Sequence, residues 1–335
     1  MKSWIDRFSD DKYKKPLPLL SFPCVSLLGV SVRELISDSA LQAKGMKAVA
    51  DMTDASAAVS FMDLSVEAEC FGAEVCVSDN EVPTVKGRLI NDMYEAEALC
   101  VPEVGSGRTG IYIDAVSKAV KSITDRPVLA GMIGPFSLSA RLLDVSEIMI
   151  DCYDDPDMVH LVLDKTTRFL IEYAKAYKSA GAHGIVMAEP VSGLLSPTLE
   201  AEFSSPYVKK IIDSVQDDDF VIIYHNCGDN VPHMLDSILR IGAAAYHFGN
   251  SVDMEKDILQ KVPADTVIMG NIDPAATLLM STPETVRVAT LSLLNNCAKY
   301  PNYILSSGCD MPPLTPWQNI EAFFAAWKEY YEKHE

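Results

Sequence analysis

The chain has 335 residues, of which 48% are hydrophobic and 22% are charged, and its formal net charge is −19. This composition excludes a disordered chain, because it supplies enough apolar side chains for a sizeable core. The 47 acidic against 28 basic side chains argue against a nucleic-acid surface, which needs clustered Lys and Arg. A basic partner or a small ligand fits the charge better.

The N-terminal sequence MKSWIDRFSDDKYKK is polar and charged, where a secretory signal needs a continuous apolar run. No uncharged apolar stretch approaches the ~18 to 20 residues that span a bilayer. The eight cysteines are spread along the chain, mostly in apolar stretches, and are predicted to be buried free thiols rather than disulfides. A cytoplasmic location is therefore expected.

Eight short apolar or β-branched runs, each bounded by turn residues, are predicted to be strands. They are residues 17–22, 74–77, 128–133, 184–188, 220–224, 244–248, 266–269 and 302–305. The stretches between them have helical periodicity. The residues from 156 to 180 predict a helix that Gly181 ends, and the Ser281-Thr282-Pro283-Glu284 sequence predicts a capped helix through Leu294.

Strands that alternate with helices and are almost wholly apolar indicate a parallel sheet buried on both faces. Eight such units favour a single closed (β/α)8 TIM barrel, with residues 1–335 forming one domain. No G-x-G-x-x-G sequence follows an early strand, which argues against a dinucleotide-binding fold. The irregular region from about residue 33 to 91 predicts N-terminal helices and a hairpin that cover part of the barrel.

In such a barrel the active site lies at the carboxyl ends of the strands. Polar side chains lie at or just after the ends of five predicted strands. They are Glu189, His225, Cys227, His247, Asn250, Asn271, Asp273, Cys309 and Asp310.

His225 and Cys227 are two residues apart, so an extended strand end directs both side chains to one face. Cys309 follows the last predicted strand. Two thiolates and one imidazole suit Zn²⁺, and three protein ligands with one open position are typical of a catalytic zinc site. A chain with eight cysteines and six histidines produces such triples by chance, so His225 as a backbone-bonded residue and Cys227 as a small buried side chain are the alternatives.

Glu189 directly follows a buried strand, which favours a ligand or acid/base role over a surface carboxylate. His247 fits two roles equally well, as a hydrogen-bonded core residue or as a residue lining the substrate site.

Four segments together resemble the uroporphyrinogen decarboxylase superfamily, and within it most closely the methylcobalamin:coenzyme M methyltransferase branch. They are GAHGIVMAEPVSGLLSPTLEAEFSSPYVKKII, HNCGDN, MGNIDPAATLLMSTPETV and SSGCDMPPLTPWQNI. The similarity is densest from about residue 128 to the C-terminus. The His-x-Cys…Cys zinc motif of that branch matches His225, Cys227 and Cys309. The decarboxylases are not expected to carry this zinc set, and their arginine-rich N-terminal motif has no counterpart, since Arg7 and Arg33 are the only arginines before Arg88.

The resemblance implies zinc-dependent transfer of a methyl group from a methylated corrinoid to a thiol such as coenzyme M. A separate small corrinoid-binding protein would carry the corrinoid. Glu189 is then expected to occupy the fourth zinc position or to orient the incoming group. Asn271 and Asp273 are expected to line the pocket or to brace the zinc ligands, with Asp273 a candidate catalytic residue beside Glu189, and His247 is expected to contact substrate.

The acceptor stays open at this point. The rim loops show no cluster of Lys or Arg that would hold a sulfonate, and acidic Asp310 follows Cys309, so another thiol or a pterin is an alternative. Three other functions also stay open: a first-step enzyme that methylates the corrinoid from a small donor, a metal-free decarboxylase-type lyase, and a non-catalytic binding module with a structural zinc.

Overall fold

The computed structural model describes residues 14–334. The polar segment on which the cytoplasmic expectation rests lies almost entirely outside this range. The strands are β1 (Ala58–Val59), β2 (Glu74–Cys76), β3 (Thr84–Lys86), β4 (Val128–Ile133), β5 (Gly184–Ala188), β6 (Val221–Asn226), β7 (Ala245–Phe248), β8 (Val267–Ile272) and β9 (Tyr303–Ser307).

Helices fill most of the intervals between strands. The α-helices are α1 (Cys24–Leu28), α2 (Val32–Ile36), α3 (Ser39–Met52), α4 (Val66–Cys70), α5 (Met93–Ala98), α6 (Arg108–Ser122), α7 (Pro135–Leu143), α8 (Val145–Asp154), α9 (Pro156–Ser179), α10 (Pro197–Phe203), α11 (Ser205–Val215), α12 (Val231–Leu239), α13 (Pro283–Cys297) and α14 (Trp317–Lys333). A short 3₁₀ helix forms at Val191–Leu194, and two π-helical segments form at Met254–Leu259 and Pro274–Leu279. Within residues 14–334, no helix is both long enough and apolar enough to cross a membrane.

Seven strands form one curled parallel sheet in the order β1-β4-β5-β6-β7-β8-β9. Six of the eight predicted runs overlap strands of this sheet. Every residue of β4, β5 and β6 is buried, as expected for a sheet covered on both faces. The predicted α/β class with a parallel sheet is therefore confirmed.

Two predicted strands are placed differently. Residues 74–76 do form a strand, β2, but it pairs antiparallel with β3 in a separate hairpin, because its half-exposed side chains could not fill a site buried on both faces. Residues 17–22 form no strand. Their place in the sheet belongs to β1, whose two residues are too few to produce a periodic signal.

The N-terminal segment nevertheless links the two edges of the sheet. The backbone N–H of Leu17 donates to the carbonyl of Leu305 in β9, and the N–H of Ser56, just before β1, donates to the carbonyl of Pro16. These bonds do not make an eighth strand, so the complete (β/α)8 barrel stays a prediction, as does the single domain over residues 1–335.

The core has two parts, one enclosed by the curled sheet and one between the sheet and its helices. The enclosed part is aliphatic and includes Leu17, Val186 and Ile223, and the outer part packs the helices. Helix α9 shows how the outer layer forms. Asp155 caps its first turn, and Gly181, at a φ of +94°, follows its end, close to the predicted limits.

The region from residue 33 to 91 contains helices α3 and α4, the short strand β1 and the β2–β3 hairpin. The hairpin lies at the carboxyl end of the sheet, where Val82 and Val85 contact the same cavity as Leu279 and Leu314. The loops that follow β1, β8 and β9 therefore share this end with the hairpin, and it is the end at which the candidate site residues lie.

Candidate metal centre

The three predicted ligands come together at the carboxyl ends of β6 and β9. His225 is the fifth residue of β6, Cys227 directly follows that strand, and Cys309 follows β9. Their ligand atoms all lie within 4.8 Å of one another, and the Sγ atom of Cys309 is 3.4 Å from Nε2 of His225. This cluster can hold one metal ion with imidazole and thiolate ligands.

Glycines allow the neighbouring loops to pack directly on the cluster. A Cβ atom on Gly249 would lie 2.6 Å from both Cα and Cβ of Cys227, and a Cβ atom on Gly308 would lie 2.8 Å from the backbone nitrogen of Asn250. Neither approach is possible for a larger residue without a backbone shift. The loop after β7 therefore closes on both cysteine-bearing loops and holds them together.

The two thiols differ in acidity because they interact with each other. A hydrogen bond from Cys309 lowers the pKa of Cys227 well below its ordinary value. The same interaction, with burial, raises the pKa of Cys309. One sulfur of the pair is thus held as a thiolate, which is the form that binds a metal.

A chain of hydrogen bonds runs from His225 into the sheet. Nδ1 of His225 is 2.7 Å from Nδ1 of His247, and Nε2 of His247 is 2.8 Å from Oγ of Ser306. The Ser306 hydroxyl donates to the carbonyl oxygen of Leu17 at 2.7 Å. Burial, and next the neighbouring imidazole of His225, lower the pKa of His247 well below its ordinary value, so this ring is neutral.

This chain fixes the tautomers of both rings. Because Ser306 gives its only proton to a carbonyl, it must accept from Nε2–H of His247. Nδ1 of neutral His247 then has no proton and accepts from Nδ1–H of His225. Nε2 of His225 is left with a free lone pair that faces the two sulfurs. His247 therefore positions the candidate ligand His225 from behind, and no contact between His247 and a substrate is needed for that role.

Glu189 is fully buried and caps helix α7. Its Oε1 accepts from the backbone N–H of Phe136 at 2.8 Å, and its Oε2 accepts from the N–H and the hydroxyl of Ser137 at 2.9 and 2.7 Å. Burial raises its pKa to about 7, against the effect of these bonds. Glu189 is not part of the group of ligand atoms within 4.8 Å, so its predicted place as the fourth ligand or acid stays a prediction.

Asn271 and Asp273 brace the loop after β7. The Asn271 amide donates to the carbonyls of Gly249 and Val252 at 2.8 and 2.9 Å. One oxygen of Asp273 caps the helix that begins at residue 274, and the other accepts from the Asn250 side chain at 3.0 Å. Both residues thus act on the loop that packs against Cys227.

A model of the uroporphyrinogen decarboxylase (URO-D) family matches residues 24–330. The chain belongs to this family. Methylcobamide:CoM methyltransferase MtbA from Methanosarcina acetivorans is 30% identical over 276 residues, which cover 80% of this chain and 78% of that protein. The protein of the same name from Methanosarcina mazei is also 30% identical, over 278 residues. A uroporphyrinogen decarboxylase from Coxiella burnetii is 26% identical over 300 residues, covering 83% and 78%.

Two solved structures superpose over almost the whole chain. A methyltransferase from Methanosarcina mazei superposes with a TM-score of 0.84 at 25% identity, covering 94% of each chain. A B12-independent methionine synthase from Shewanella sp. W3-18-1 superposes with a TM-score of 0.60 at 14% identity, covering 96% of each chain, which shows a shared fold alone.

The other cysteines of this URO-D family member are more varied than the sequence predicted. All eight are free, as expected, and Cys24, Cys152 and Cys297 are buried, but Cys76 and Cys100 are exposed and Cys70 is half-buried. The expectation that they are all buried was wrong for these three, because they lie in the N-terminal region, on α4, on the half-exposed hairpin and beside α5, where packing is less complete.

Sequence reasoning missed one charged residue at this end of the family fold. Arg141 of α7 is half-buried and lines the cavity of about 510 Å³ that Asp310 also lines. It lies inside a helix rather than directly after a strand. The signal that could have identified it is a single arginine in the otherwise uncharged sequence of α7, PFSLSARLL.

Proposed function

We propose that this protein is a zinc-dependent methyltransferase that moves a methyl group from a methylated corrinoid to a thiol. A separate small corrinoid-binding protein would carry the corrinoid, and the thiol would be coenzyme M-like. The observation that carries the proposal is the approach of the His225, Cys227 and Cys309 ligand atoms to within 4.8 Å of one another. The names of the 30% identical relatives, which specify methylcobamide and CoM, support the same reaction.

The residues present fit a zinc ion on chemical grounds. Two sulfurs and one imidazole nitrogen are the ligand types that Zn²⁺ prefers, and three protein ligands leave one position open. The hydrogen-bond chain behind His225 leaves its Nε2 lone pair free, as ligation requires. The chemistry that bound zinc supplies is stabilisation of an incoming thiol as the nucleophilic thiolate.

The protein's own residues hold and orient this site. His247 and Ser306 fix the ring of His225, while Asn271 and Asp273 hold the loop that packs on Cys227. Glu189 anchors α7 at the neighbouring strand end, from where it would orient the incoming group. A reducing cytoplasm, in which we expect the enzyme to act, keeps both thiols available.

Metal content tests the proposal first. Purified protein is expected to contain about one zinc per chain, and Cys227→Ala or Cys309→Ala is expected to lose it. Cys297→Ala is the matched control, because this thiol is buried in the outer core and should leave the zinc content unchanged. Full zinc retention in both ligand variants would overturn the proposal.

Cobalt substitution and turnover test the reaction itself. In the cobalt form, addition of a thiol is expected to change the sulfur-to-metal charge-transfer absorption, because the thiol enters the open position. Methylcobalamin is expected to be demethylated in the presence of thiol and at less than a tenth of that rate in Cys309→Ala. Turnover of a porphyrinogen that survives Cys309→Ala would instead establish a lyase, and methylation of cob(I)alamin by a small methyl donor would establish a first-step enzyme.

A further inference from the structure

A cavity of about 510 Å³ lies at the carboxyl end of the sheet, beneath the β2–β3 hairpin. Its walls are mostly apolar: Met62 and Leu64 follow β1, Val82 comes from the hairpin, and Leu279 and Leu314 follow β8 and β9. Concave apolar sites with a few polar groups are the usual form of small-molecule sites. The polar groups of this cavity therefore indicate what it can bind.

Arg141 is the cationic side chain of this cavity. Among residues 14–334, none places a carboxylate within 4.0 Å of its guanidinium or accepts a hydrogen bond from it. Burial lowers the pKa of Arg141, with no compensating charge. A half-buried guanidinium without a counter-ion costs free energy, and the structure recovers none of that cost within its described part.

Asp310 is a second polar residue of the cavity. It lines the same cavity and directly follows the candidate ligand Cys309, so the cavity borders the loop of the metal centre. Its Oδ1 atom is buried and has no hydrogen-bond partner in the described range. Arg141 and Asp310 do not pair with each other. The other polar residues of the lining are Ser65 and the exposed hairpin residues Asn80, Glu81 and Thr84. Arg141 is therefore the half-buried cation of the cavity, and Glu81 lies at its solvent-exposed hairpin side.

We propose that Arg141 binds an anionic group of the methyl acceptor, and that the cavity takes a small thiol carrying a sulfonate or carboxylate. The planar guanidinium can donate two parallel hydrogen bonds to either acid group. The apolar walls contact the short carbon chain, and the thiol end lies toward the loop of Cys309. The thiol part rests on the proposed function, whereas the anion site rests only on the cavity and Arg141.

The anion site can be tested without thiol or methyl transfer. Ethanesulfonate and propionate are titrated into the protein as purified, and binding is followed by calorimetry and by the thermal unfolding midpoint. Arg141→Gln is expected to weaken binding by about 10- to 100-fold, the range for a charge-assisted hydrogen-bonded pair, and Arg141→Lys to weaken it less. Arg287→Gln is the control, because this arginine pairs with Glu329 between α13 and α14 and does not line the cavity.

The unfolding temperature of Arg141→Gln separates loss of the anion site from misfolding. Since Arg141 has no partner among residues 14–334, Arg141→Gln is expected to unfold at the same temperature as the parent protein or higher when no anion is present. Added anion is then expected to raise the unfolding temperature of the parent protein only. Equal anion binding by the parent protein and Arg141→Gln, or no binding by either, would overturn the anion site.

The acceptor is tested with three thiols on zinc-loaded protein: 2-mercaptoethanesulfonate, 3-mercaptopropionate and uncharged 2-mercaptoethanol. The two acids are expected to bind at least about tenfold more weakly to Arg141→Gln than to the parent protein, whereas 2-mercaptoethanol should bind the two proteins with affinities within about twofold of each other. The acid that binds the parent protein more tightly identifies the acid group. Loss of affinity for the corrinoid protein instead, with thiol binding unchanged, would assign the cavity to the corrin and overturn the proposal. If the protein binds no zinc, the proposed function fails while the thiol-free titration still decides the anion site.

Discussion

The hydrogen bond between His247 and His225 offers a sharp test of how the metal centre is built. His247→Phe keeps an aromatic ring at this position but removes the acceptor that lies 2.7 Å from Nδ1 of His225. In the metal-free variant His225 can take its other tautomer, because Nε2–H can then donate to Sγ of Cys309 at 3.4 Å. In the metal-bound variant Nε2 is committed to the ion, so Nδ1–H is buried without an acceptor.

The cost therefore falls on the metal-bound state alone and appears as lost affinity. An unsatisfied buried N–H group costs about 1–3 kcal/mol, which corresponds to about 5- to 150-fold in the dissociation constant. Loss of an outer hydrogen-bond partner of a ligating histidine typically weakens metal affinity by about 10- to 100-fold. We expect a loss in this range for His247→Phe. His247→Asn is expected to recover most of it, because its side-chain oxygen can accept from Nδ1–H.

Competition with a chromophoric zinc chelator at fixed pH measures the affinity. His160→Phe is the matched control, because it makes the same substitution and also removes a histidine hydrogen bond, 2.8 Å long to Tyr207, at the contact of α9 with α11 and outside the candidate ligand group. Nitrogen-15 spectra of the parent protein should show a proton on Nδ1 of His225 and on Nε2 of His247. Parent-like zinc affinity in a folded His247→Phe variant, or the opposite tautomers, would show that His247 does not position His225 through this hydrogen bond.

Three further substitutions test the supports of the site. Glu189→Ala leaves two buried backbone N–H groups and a hydroxyl without their acceptor and is expected to lower the free energy of unfolding by about 2–5 kcal/mol; an unchanged urea midpoint would contradict this. Asp273→Ala is expected to cost about 1 kcal/mol and to speed amide exchange around Asn250, and unaltered exchange would argue against bracing. Gly249→Ala forces a Cβ to 2.6 Å from Cys227 and is expected to weaken zinc binding, measured by the same chelator competition. Gly242→Ala is the control: its Cβ would lie in open space, so it should affect folding only.

The sequence predicts a strand wherever the strand is long enough to form its own apolar run. The strands from β4 to β9 are buried on both faces and therefore appear as continuous apolar runs. The two failures have local causes. Strand β1 has only two residues, which no periodicity can reveal, and residues 17–22 are apolar because two of their leucines pack inside the curled sheet, although their backbone joins no ladder.

The proximity of the three candidate ligands was predictable because parallel strands end at the same edge of a sheet. His225, Cys227 and Cys309 needed only correct strand ends to be placed together. The roles of the supporting residues were not predictable in the same way. That Glu189 caps α7, or that His247 accepts from His225, depends on which atoms face each other between elements, and strand position carries no such information.

Strand position also gave no sign of Arg141. In the sequence, the loops directly after the strands carry no cluster of Lys or Arg that would hold a sulfonate. The positive charge instead comes from Arg141, within α7. Glu189, directly after β5, fixes the N-terminus of this helix and therefore also sets where Arg141 meets the cavity. A half-buried cation in a mostly apolar cavity, with no partner in the described part of the chain, attracts an anion more strongly than a solvated cation does, because its field is less screened. The absence of a basic cluster in the sequence is therefore compatible with an acidic thiol as substrate.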